Sequence, residues 1–429
     1  MEHDWDAATL SELRLFLEEL CCNLLRFQHS FEDGVPPEQV RIQQEVYLGV
    51  PGAFADIRVT SPGRAPYFLE IKYGHPADRI VAKLERKYGP EAPGAREGSK
   101  LVVVVDEEGH AAWDEITARL GEALYPGLAL EVWNEATLLS LLRDRFEIDA
   151  ARITPDEVVD LRLSMEWAKG HHAFGDAWTG DAQQSSLLWH FGFWRLRQLS
   201  DSGRIHSREI MPPGVYRGAA VIFADLSAFS SYVRDTRDET VVRQALTSFY
   251  SKARYQVLNT GGMLYQFLGD GVLALFGVPE AQPTVLAAAL ECATALLDIG
   301  ESVMHDWQRQ IDHLQAAAGC HVGMAVGDLN VLSLRPFSRT HMGAIGEPIN
   351  VAARLATAAA ASEMVLSNAL HQRLPTPLQG AFHELEPVDA KNVGRLQAWK
   401  LPVAEARRAI SAFYAAPAPD ETALVAARP

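Results

Sequence analysis

Residues 263–277, MLYQFLGDGVLALFG, constrain the fold of this chain more strongly than any other segment. Apolar runs on both sides of Gly269-Asp270-Gly271 predict two antiparallel strands joined by a tight turn. Asp270 then follows a hydrophobic strand, where a carboxylate is costly unless it is paired or holds a metal ion. The segment therefore predicts a β-hairpin that presents an acidic side chain at one end of a sheet.

A second aspartate ends another predicted strand. The run AAVIFADL, residues 219–226, is apolar up to Asp225 and Leu226. Two carboxylates converging from adjacent strand ends suit Mg²⁺ or Mn²⁺, and such ions commonly also bind substrate phosphates. The chain then runs into a predicted helix near Phe229, and free N–H groups at a helix start can bind a triphosphate.

A third segment, EPINVAARLATAA, predicts a helix with Pro348 in its first turn. Asn350 and Arg354 are four residues apart and share one face of this helix. The guanidinium of Arg354 suits a phosphoryl group that gains charge, and Asn350 can donate or accept near a sugar. The same two residues are also compatible with merely capping or solvating a helix. Before this helix, CHVGMAVGDLNVLSL predicts a hairpin-like pair of strands.

The motifs VIFADLSAFS, GGMLYQFLGDGVLALFG, VGMAVGDL and GAIGEPINVAARL resemble the class III nucleotidyl cyclase catalytic domain over residues 217–402, in the order and spacing of that family. The resemblance implies a ferredoxin-like core with an antiparallel or mixed sheet. It implies that Asp225 and Asp270, with the Leu226 carbonyl, bind two Mg²⁺ or Mn²⁺ ions in each site. It also implies that Asn350 orients the ribose and that Arg354 stabilises the transition state.

The same resemblance implies a head-to-tail homodimer, in which each site takes metals from one subunit and Asn350 and Arg354 from the other. Leu226, Phe229, Gln266 and Gly343 are the implied substrate-binding positions, together with Lys391. Either Lys391 or Lys400 is a candidate phosphate ligand, with a solvated strand lysine as the alternative. The implied reaction is attack of the ribose 3′-hydroxyl on the α-phosphorus of a nucleoside triphosphate, with loss of pyrophosphate. No protein nucleophile is required.

Two positions depart from the pattern of the adenylate cyclases. Gln266 stands where they carry a lysine, and Gly343 stands where they carry an aspartate or threonine. The acidic residue of the guanylate pattern is absent as well. Since base discrimination depends on matched donors and acceptors, these changes predict altered base selection. With regular alternation along the strand, Tyr265 and Phe267 share the face opposite Gln266 and serve as packing residues.

Gln266 can donate and accept at once, which suits the mixed edge of uracil or cytosine. In this respect the chain resembles the pyrimidine cyclases of Pycsar anti-phage systems. That resemblance implies conversion of UTP to cUMP as a second messenger in bacterial defence, read by a separate cyclic-nucleotide effector protein. A cCMP-forming enzyme and an ordinary adenylate cyclase remain alternatives.

The front of the chain carries a different motif. FADIRVT and YFLEIKYG place Asp56, Glu70 and Lys72 in the D…ExK arrangement of the PD-(D/E)xK nuclease-like α/β fold. A preceding helix, a hairpin and the buried parallel strand LVVVV at 101–105 agree with it. Asp56 and Glu70 would bind a metal while Lys72 polarises a phosphate or water. The alternatives are a structural ion pair, or the same fold used as a sensor or oligomerisation module.

The charge distribution favours the sensor or regulatory alternative. Residues 1–150 hold 15 basic and 27 acidic residues, a net charge of −12 out of −16 for all 429 residues. Such a segment repels nucleic-acid phosphates on average, so no nucleic-acid partner is expected. Three function classes remain: a signalling cyclase, which is favoured, an idle cyclase-like nucleotide sensor, and a nuclease effector with a cyclase appendage.

The length predicts several domains. The expected organisation is a nuclease-like regulatory domain at 1–150, a Trp-rich helical connector at 151–213, the cyclase domain at 214–403 and a flexible tail at 404–429. The four Trp residues of the connector are expected to be docked rather than left in water. We find no run of eighteen apolar residues and no signal peptide at the acidic start, and Cys21, Cys22, Cys292 and Cys320 form no CxxC pair. A cytoplasmic protein with buried, reduced thiols and no membrane partner is expected.

Overall fold

The computed structural model describes residues 5–121, 123–204, 207–280, 284–311, 317–334, 341–390 and 394–415. These residues form a mixed α/β chain with one five-stranded and one eight-stranded sheet. Within them, no helix combines the length and apolar character that a membrane span needs. The four cysteines are all buried and form no disulfide, as expected for structural thiols.

The front sheet belongs to the first 150 residues. Its elements are α1 (Ala7–Phe27), β1 (Arg41–Tyr47), β2 (Phe54–Thr60), β3 (Tyr67–Ile71), α2 (Ala77–Tyr88), β4 (Lys100–Val104), α3 (Glu107–Ala111), α4 (Trp113–Leu120), β5 (Ala129–Trp133) and α5 (Glu135–Phe146). The strand order follows the chain, with β1, β2 and β3 antiparallel and β3, β4 and β5 parallel. The predicted helix, hairpin and buried parallel strand are therefore confirmed.

A helical connector follows, as predicted. It contains α6 (Val158–Phe174), α7 (Ala182–His190), α8 (Phe193–Asp201) and α9 (Ser207–Ile210). Trp178 and Trp194 are buried, but Trp167 and Trp189 remain 52% and 50% exposed. The expectation that all four are docked is wrong for these two. The Trp167 ring packs against Trp178 and His171, and the Trp189 ring packs against Phe267 and beneath the Arg254 guanidinium.

The larger sheet belongs to the C-terminal part. Its elements are β6 (Gly214–Leu226), α10 (Phe229–Asp235), α11 (Glu239–Asn259), β7 (Met263–Leu268), β8 (Gly271–Phe276), α12 (Val285–Ile311), β9 (Cys320–Leu334), β10 (His341–Ile345), α13 (Glu347–Ala358), β11 (Glu363–Ser367), α14 (Asn368–His371), α15 (Thr376–Gln379), β12 (His383–Ala390), β13 (Gly394–Pro402) and α16 (Val403–Ala415). The strand order is β12-β13-β11-β9-β6-β8-β7, and β10 pairs with β9.

Residues of β6 alternate between two cores, as the period of a strand requires. Ala220, Ile222 and Ala224 belong to the core that contains α11 and α12, whereas Ala219 and Val221 belong to the core that contains α13. The large sheet is thus covered on both faces at these positions. Strand β6 is buried from Ala219 to Ile222, whereas Val215 near its start is exposed.

Two predictions in this region are wrong. The segment 320–334 is one continuous strand, β9, paired with β6 along its length, and is not a hairpin. The expected turn stays extended because the Asp328 carboxylate accepts a hydrogen bond from the Gly218 N–H at 3.0 Å, where β6 carries a bulge. The expected flexible tail instead begins as helix α16, in which Ala406 and Ile410 are buried. The remainder of that tail, after residue 415, lies outside the described residues.

The front domain packs on the outer helices of the large sheet. Glu45 of β1 forms an ion pair with Lys252 of α11 and accepts a hydrogen bond from Ser302 of α12 at 2.7 Å. Arg41 of β1 donates to Glu291 of α12 at 2.7 Å. These buried charges make the orientation of the two parts specific, because each charge needs its partner from the other side.

Candidate active site

Asp225 and Asp270 come together at one end of the large sheet. Asp225 is the register partner of Gly271, and the Leu226 N–H donates to the Asp270 carbonyl at 3.4 Å. A Cβ atom on Gly271 would lie 2.9 Å from Asp225 Oδ1, closer than real Cβ contacts allow. Glycine at 271 is therefore what lets the hairpin pass beside the carboxylate. The predicted juxtaposition of the two aspartates is present.

The electrostatics of this pair favour a cation. Burial, together with the neighbouring Asp270 carboxylate, raises the pKa of Asp225 to about 7, and burial also raises the pKa of Asp270. The site offers hard oxygen ligands from two half-buried carboxylates, those of Asp225 and Asp270. The backbone carbonyl of Leu226 is the further ligand that the family resemblance implies. This set fits Mg²⁺ or Mn²⁺. Within the described residues, no group of three or more His, Cys, Asp or Glu side chains forms a further metal-binding cluster.

His321 belongs to this site and was missed by sequence reasoning. It is the register partner of Asp225 in β9, and its Nε2 lies 3.7 Å from Asp225 Oδ2. Its Nδ1 shares a hydrogen bond with Ser227 Oγ at 3.0 Å. Burial lowers the pKa of His321, so the ring is neutral near pH 7. Only the pairing of β6 with β9, which joins residues about a hundred positions apart, brings it here.

The turn that carries Asp270 is fixed from helix α11. The Tyr250 hydroxyl donates to the Gly269 carbonyl, and the Tyr250 ring stacks on Phe267 with a centroid separation of 4.2 Å. Both contacts hold the end of the β7–β8 hairpin against α11. Phe229, a predicted substrate contact, packs edge-on against Trp307 at 5.9 Å, and Leu226 is buried.

Asn350 and Arg354 lie on the exposed side of α13. The helix rests directly on β9, since a Cβ on Gly323 would overlap the backbone of Ala352 and Ala356. Gly323 pairs with Phe223, two residues before Asp225, so α13 covers the sheet face toward which Asp225 points. Among the described residues, no hydrogen bond or ion pair joins Asn350 or Arg354 to the two aspartates. One chain therefore presents the acidic half and the Asn/Arg half separately.

The strands that carry Gln266 and Gly343, the two positions predicted to select the base, are joined by a hydrogen bond. Gln266 is exposed on β7, and Gly343 is buried on β10. The Tyr265 hydroxyl accepts a hydrogen bond from the Ala344 N–H at 2.9 Å. Tyr265 is also the extra residue of a bulge between Leu264 and Gln266.

The bulge overturns one prediction. Tyr265 packs with the core on the α13 side, whereas Phe267 packs with the core on the α11 side. The two rings therefore do not share a face, because the inserted residue breaks the alternation. Lys391 lies outside the described residues, and Lys400 Nζ lies 3.7 Å from a Glu363 carboxylate oxygen.

The D…ExK residues of the front domain also come together. Lys72 forms ion pairs with Glu70 and with Asp56, and Glu70 is fully buried. A further lysine, which sequence reasoning missed, completes the cluster: Lys87 Nζ lies 2.8 Å from Asp56 Oδ1 and 2.8 Å from Glu70 Oε2. Tyr88 donates to Glu70 Oε1 at 2.6 Å.

These contacts set the charge state of the front cluster. Burial alone would raise the pKa of Asp56, but Lys72 and Lys87 hold it well below its usual range. Two carboxylates are thus matched by two ammonium groups, and the oxygens that a metal would need are occupied by Lys87. The front cluster is a closed ion-pair network.

Comparison with known proteins identifies the C-terminal part. Residues 212–401 match the family model of the adenylate and guanylate cyclase catalytic domain. The match covers 190 of the 429 residues. The adenylyl cyclase CyaB from P. aeruginosa is similar at 20% identity and a TM-score of 0.39, covering 43% of this chain and 94% of that one. The guanylyl cyclase Cya2 is similar at 22% identity and a TM-score of 0.39, covering 44% and 93%.

Curated relatives are similar over a shorter stretch. Uncharacterized proteins of Mycobacterium tuberculosis and Mycobacterium bovis are each 31% identical over 142 residues, which is 33% of this chain. The match spans about a quarter of the length of these relatives, 24% in both cases.

Proposed function

We propose that the protein is a nucleotidyl cyclase that converts a nucleoside triphosphate to a 3′,5′-cyclic nucleotide and pyrophosphate. The observation that carries the proposal is the convergence of Asp225 and Asp270 beside Gly271, within the segment that matches the cyclase catalytic domain. The raised pKa of Asp225, caused by burial and by the neighbouring Asp270, supports a role of the pair as cation ligands.

In this proposal the chain's residues have distinct tasks. Asp225, Asp270 and the Leu226 carbonyl hold two Mg²⁺ or Mn²⁺ ions, which supply Lewis acidity for the ribose 3′-hydroxyl and the leaving phosphates. Arg354 donates its guanidinium N–H groups to the α-phosphoryl oxygens as charge builds there, and Asn350 fixes the ribose. The 3′-oxygen forms the new bond to the α-phosphorus and pyrophosphate leaves, so no protein nucleophile takes part. The 3′-hydroxyl proton passes to water or to a substrate phosphate.

A homodimer completes each site. Asn350 and Arg354 face solvent on α13 and form no hydrogen bond or ion pair with Asp225 or Asp270 among the described residues. A head-to-tail pair would bring the Asn/Arg half of one subunit to the acidic half of the other, and the two-fold arrangement would create two equal sites.

The base is proposed to be a pyrimidine, with UTP favoured over CTP. Gln266 is exposed on β7, so its amide is free to present both a donor and an acceptor. Gly343 adds no polar group on β10. ATP is the alternative substrate. We further propose that the cyclic nucleotide signals in anti-phage defence through a separate effector protein.

The test is incubation of the pure full-length protein with Mn²⁺ and each nucleoside triphosphate separately, followed by product analysis. The proposal expects a cyclic nucleotide with equimolar pyrophosphate, and Asp225→Ala is expected to abolish both. Absence of a cyclic product from all four substrates contradicts cyclase activity.

We propose that residues 1–150, with their nuclease-like arrangement, regulate the cyclase of residues 214–403 through the connector at 151–213, and do not cleave DNA. Lys87 occupying the carboxylates of Asp56 and Glu70 supports this role. The test is a plasmid-nicking assay with Mg²⁺ or Mn²⁺, in which neither wild type nor Glu70→Ala should nick. Metal-dependent nicking that Glu70→Ala removes would contradict it.

A further inference from the structure

A cavity of about 560 Å³ lies between the front domain and the cyclase helices, away from the proposed catalytic site. The front domain contributes residues of β1 and β2, and the cyclase part contributes residues of α12 and α16. Four arginines line it from both sides: Arg41, Arg58, Arg407 and Arg408. Its volume is within the range of small-molecule sites.

Two of these arginines are held in place by neighbours. The Arg41 guanidinium lies 3.9 Å from the centroid of the Tyr414 ring, and Arg407 lies 4.2 Å from that of Tyr47. Each guanidinium also donates a hydrogen bond to a carboxylate: Arg41 to Glu291 and Arg407 to Asp298. Stacked and ion-paired guanidiniums lose little conformational entropy when they bind a ligand.

The arginines also have donors to spare. A guanidinium carries five N–H donors, whereas Arg58 forms one ion pair, with Glu97 at 2.7 Å. Its buried Nε finds no hydrogen-bond partner among the described residues. Arg408 is exposed at the cavity wall. The lining carboxylates are those of Glu97, Glu291 and Asp298, and Glu301 pairs with Arg407 at 2.8 Å, so the charges are balanced. An anion would therefore be held by the unused donors of Arg58 and Arg408.

We propose that this cavity is a binding site for a small phosphorylated anion of nucleotide size, and that its occupancy regulates the cyclase. Several guanidiniums converging from two domains match the several oxygens of a phosphate group, which accepts bidentate hydrogen bonds. A ligand here bridges the front domain and the catalytic domain, so it stabilises one relative arrangement of the two.

The route to the catalytic site is short. Helix α12 carries Glu291 and Asp298 into the cavity, and two residues later Gly300 packs directly against Cys320, where an added Cβ would overlap the Cys320 side chain. The next residue, His321, is the register partner of Asp225. A shift of α12 would therefore displace Cys320 and His321, and with them the strand that lies beside Asp225. This regulatory step depends on the proposed function, whereas the binding itself does not.

The binding test uses the full-length Asp225→Ala chain in EDTA, so that the catalytic site cannot hold a metal-bound nucleotide. Titration calorimetry with inorganic pyrophosphate, and separately with UMP and AMP, distinguishes a bare phosphate ligand from a nucleotide. We expect one molecule bound per chain for at least one probe. Arg58→Gln and Arg408→Glu should each weaken that binding by about tenfold or more.

Arg143→Gln, which alters an exposed ion pair with Asp149, is the matched control and should bind as the parent does. Arg408 is exposed, so its variant keeps the test valid even if Arg58→Gln unfolds. No binding of any probe, or binding that both variants leave unchanged, overturns the proposal. The Asp225→Ala chain makes no cyclic product, so binding to it is measured independently of cyclase activity. A failure to bind would therefore overturn this site and would not bear on the cyclase assignment.

Discussion

The Tyr265 hydroxyl accepts a hydrogen bond from the backbone N–H of Ala344 at 2.9 Å. This bond joins β7, which carries Gln266, to β10, which carries Gly343. The two positions that face the base in the proposed site are thus held at a fixed separation by a side chain that has no direct role in chemistry.

Tyr265→Phe should therefore reduce base selectivity. Losing one hydrogen bond costs about 1 kcal/mol, which corresponds to roughly a fivefold change in the ratio of kcat/KM between the preferred and the other triphosphates. The measurement is that ratio for all four substrates, with thermal unfolding as the control for fold. If the kcat/KM ratio is unchanged in a folded Tyr265→Phe variant, the hydrogen bond from Ala344 to Tyr265 does not control base selectivity.

Mixing two inactive variants tests the shared site. Asp225→Ala disables the acidic half of a site, and Arg354→Ala disables the Asn/Arg half. A dimer of one subunit of each kind therefore has one intact site and one site that lacks both residues. Random exchange of subunits should restore about a quarter of the wild-type activity. The measurement is product formation before and after mixing at equal concentration. If the mixture stays inactive while size-exclusion chromatography shows mixed dimers, the halves act within one chain.

Metal binding should be visible as stability. Mn²⁺ at about a hundred times its dissociation constant stabilises a protein that binds it only when folded by about 2.7 kcal/mol per site. Wild type should therefore unfold at a higher temperature with Mn²⁺, and Asp225→Ala should lose this gain. Glu70→Gln, in the front cluster that Lys87 closes, should keep the gain in full. Loss of the Mn²⁺ effect in Glu70→Gln alone would place the metal in the front domain.

Glu18 predicts the pH dependence of stability. Burial raises the pKa of Glu18 to about 8. The nearby Lys252 ammonium lowers this pKa, and the Glu45 and Asp56 carboxylates raise it further. Because this pKa is higher in the folded than in the unfolded state, the stabilising contribution is complete below pH 4.5 and is lost as the pH rises through 8. Glu18→Gln should be close to wild type in stability near pH 5 and more stable than wild type at pH 9. Chemical unfolding at both pH values measures this, and parallel pH profiles of the two proteins would refute it.

Local signals predicted most of the fold. The LGDG hairpin, the parallel strand at LVVVV and helix α13 were predictable because turn residues, apolar runs and Pro348 act on their own neighbours. The strand β9 was mistaken for a hairpin because Asp328 is held extended by Gly218, more than a hundred residues away. Long-range pairing of this kind has no signal in one sequence.

The site was predictable only in part for the same reason. Asp225, Asp270, Asn350 and Arg354 stand in recognisable motifs. The structure brings the two aspartates together, and it leaves Asn350 and Arg354 on the exposed side of α13. His321 and Lys87 enter their clusters only through strand pairing and helix packing. The bulge at Tyr265 likewise depends on how β7 meets β8, so regular alternation placed its ring on the wrong face.

Substrate choice tests the central claim most directly. The purified full-length protein is given an equimolar mixture of ATP, GTP, CTP and UTP with Mn²⁺, and the cyclic products are quantified by mass spectrometry. Gln266 opposite Gly343 predicts that cUMP dominates, with cCMP next and little cAMP or cGMP. Formation of cAMP alone would contradict the account and leave an ordinary adenylate cyclase.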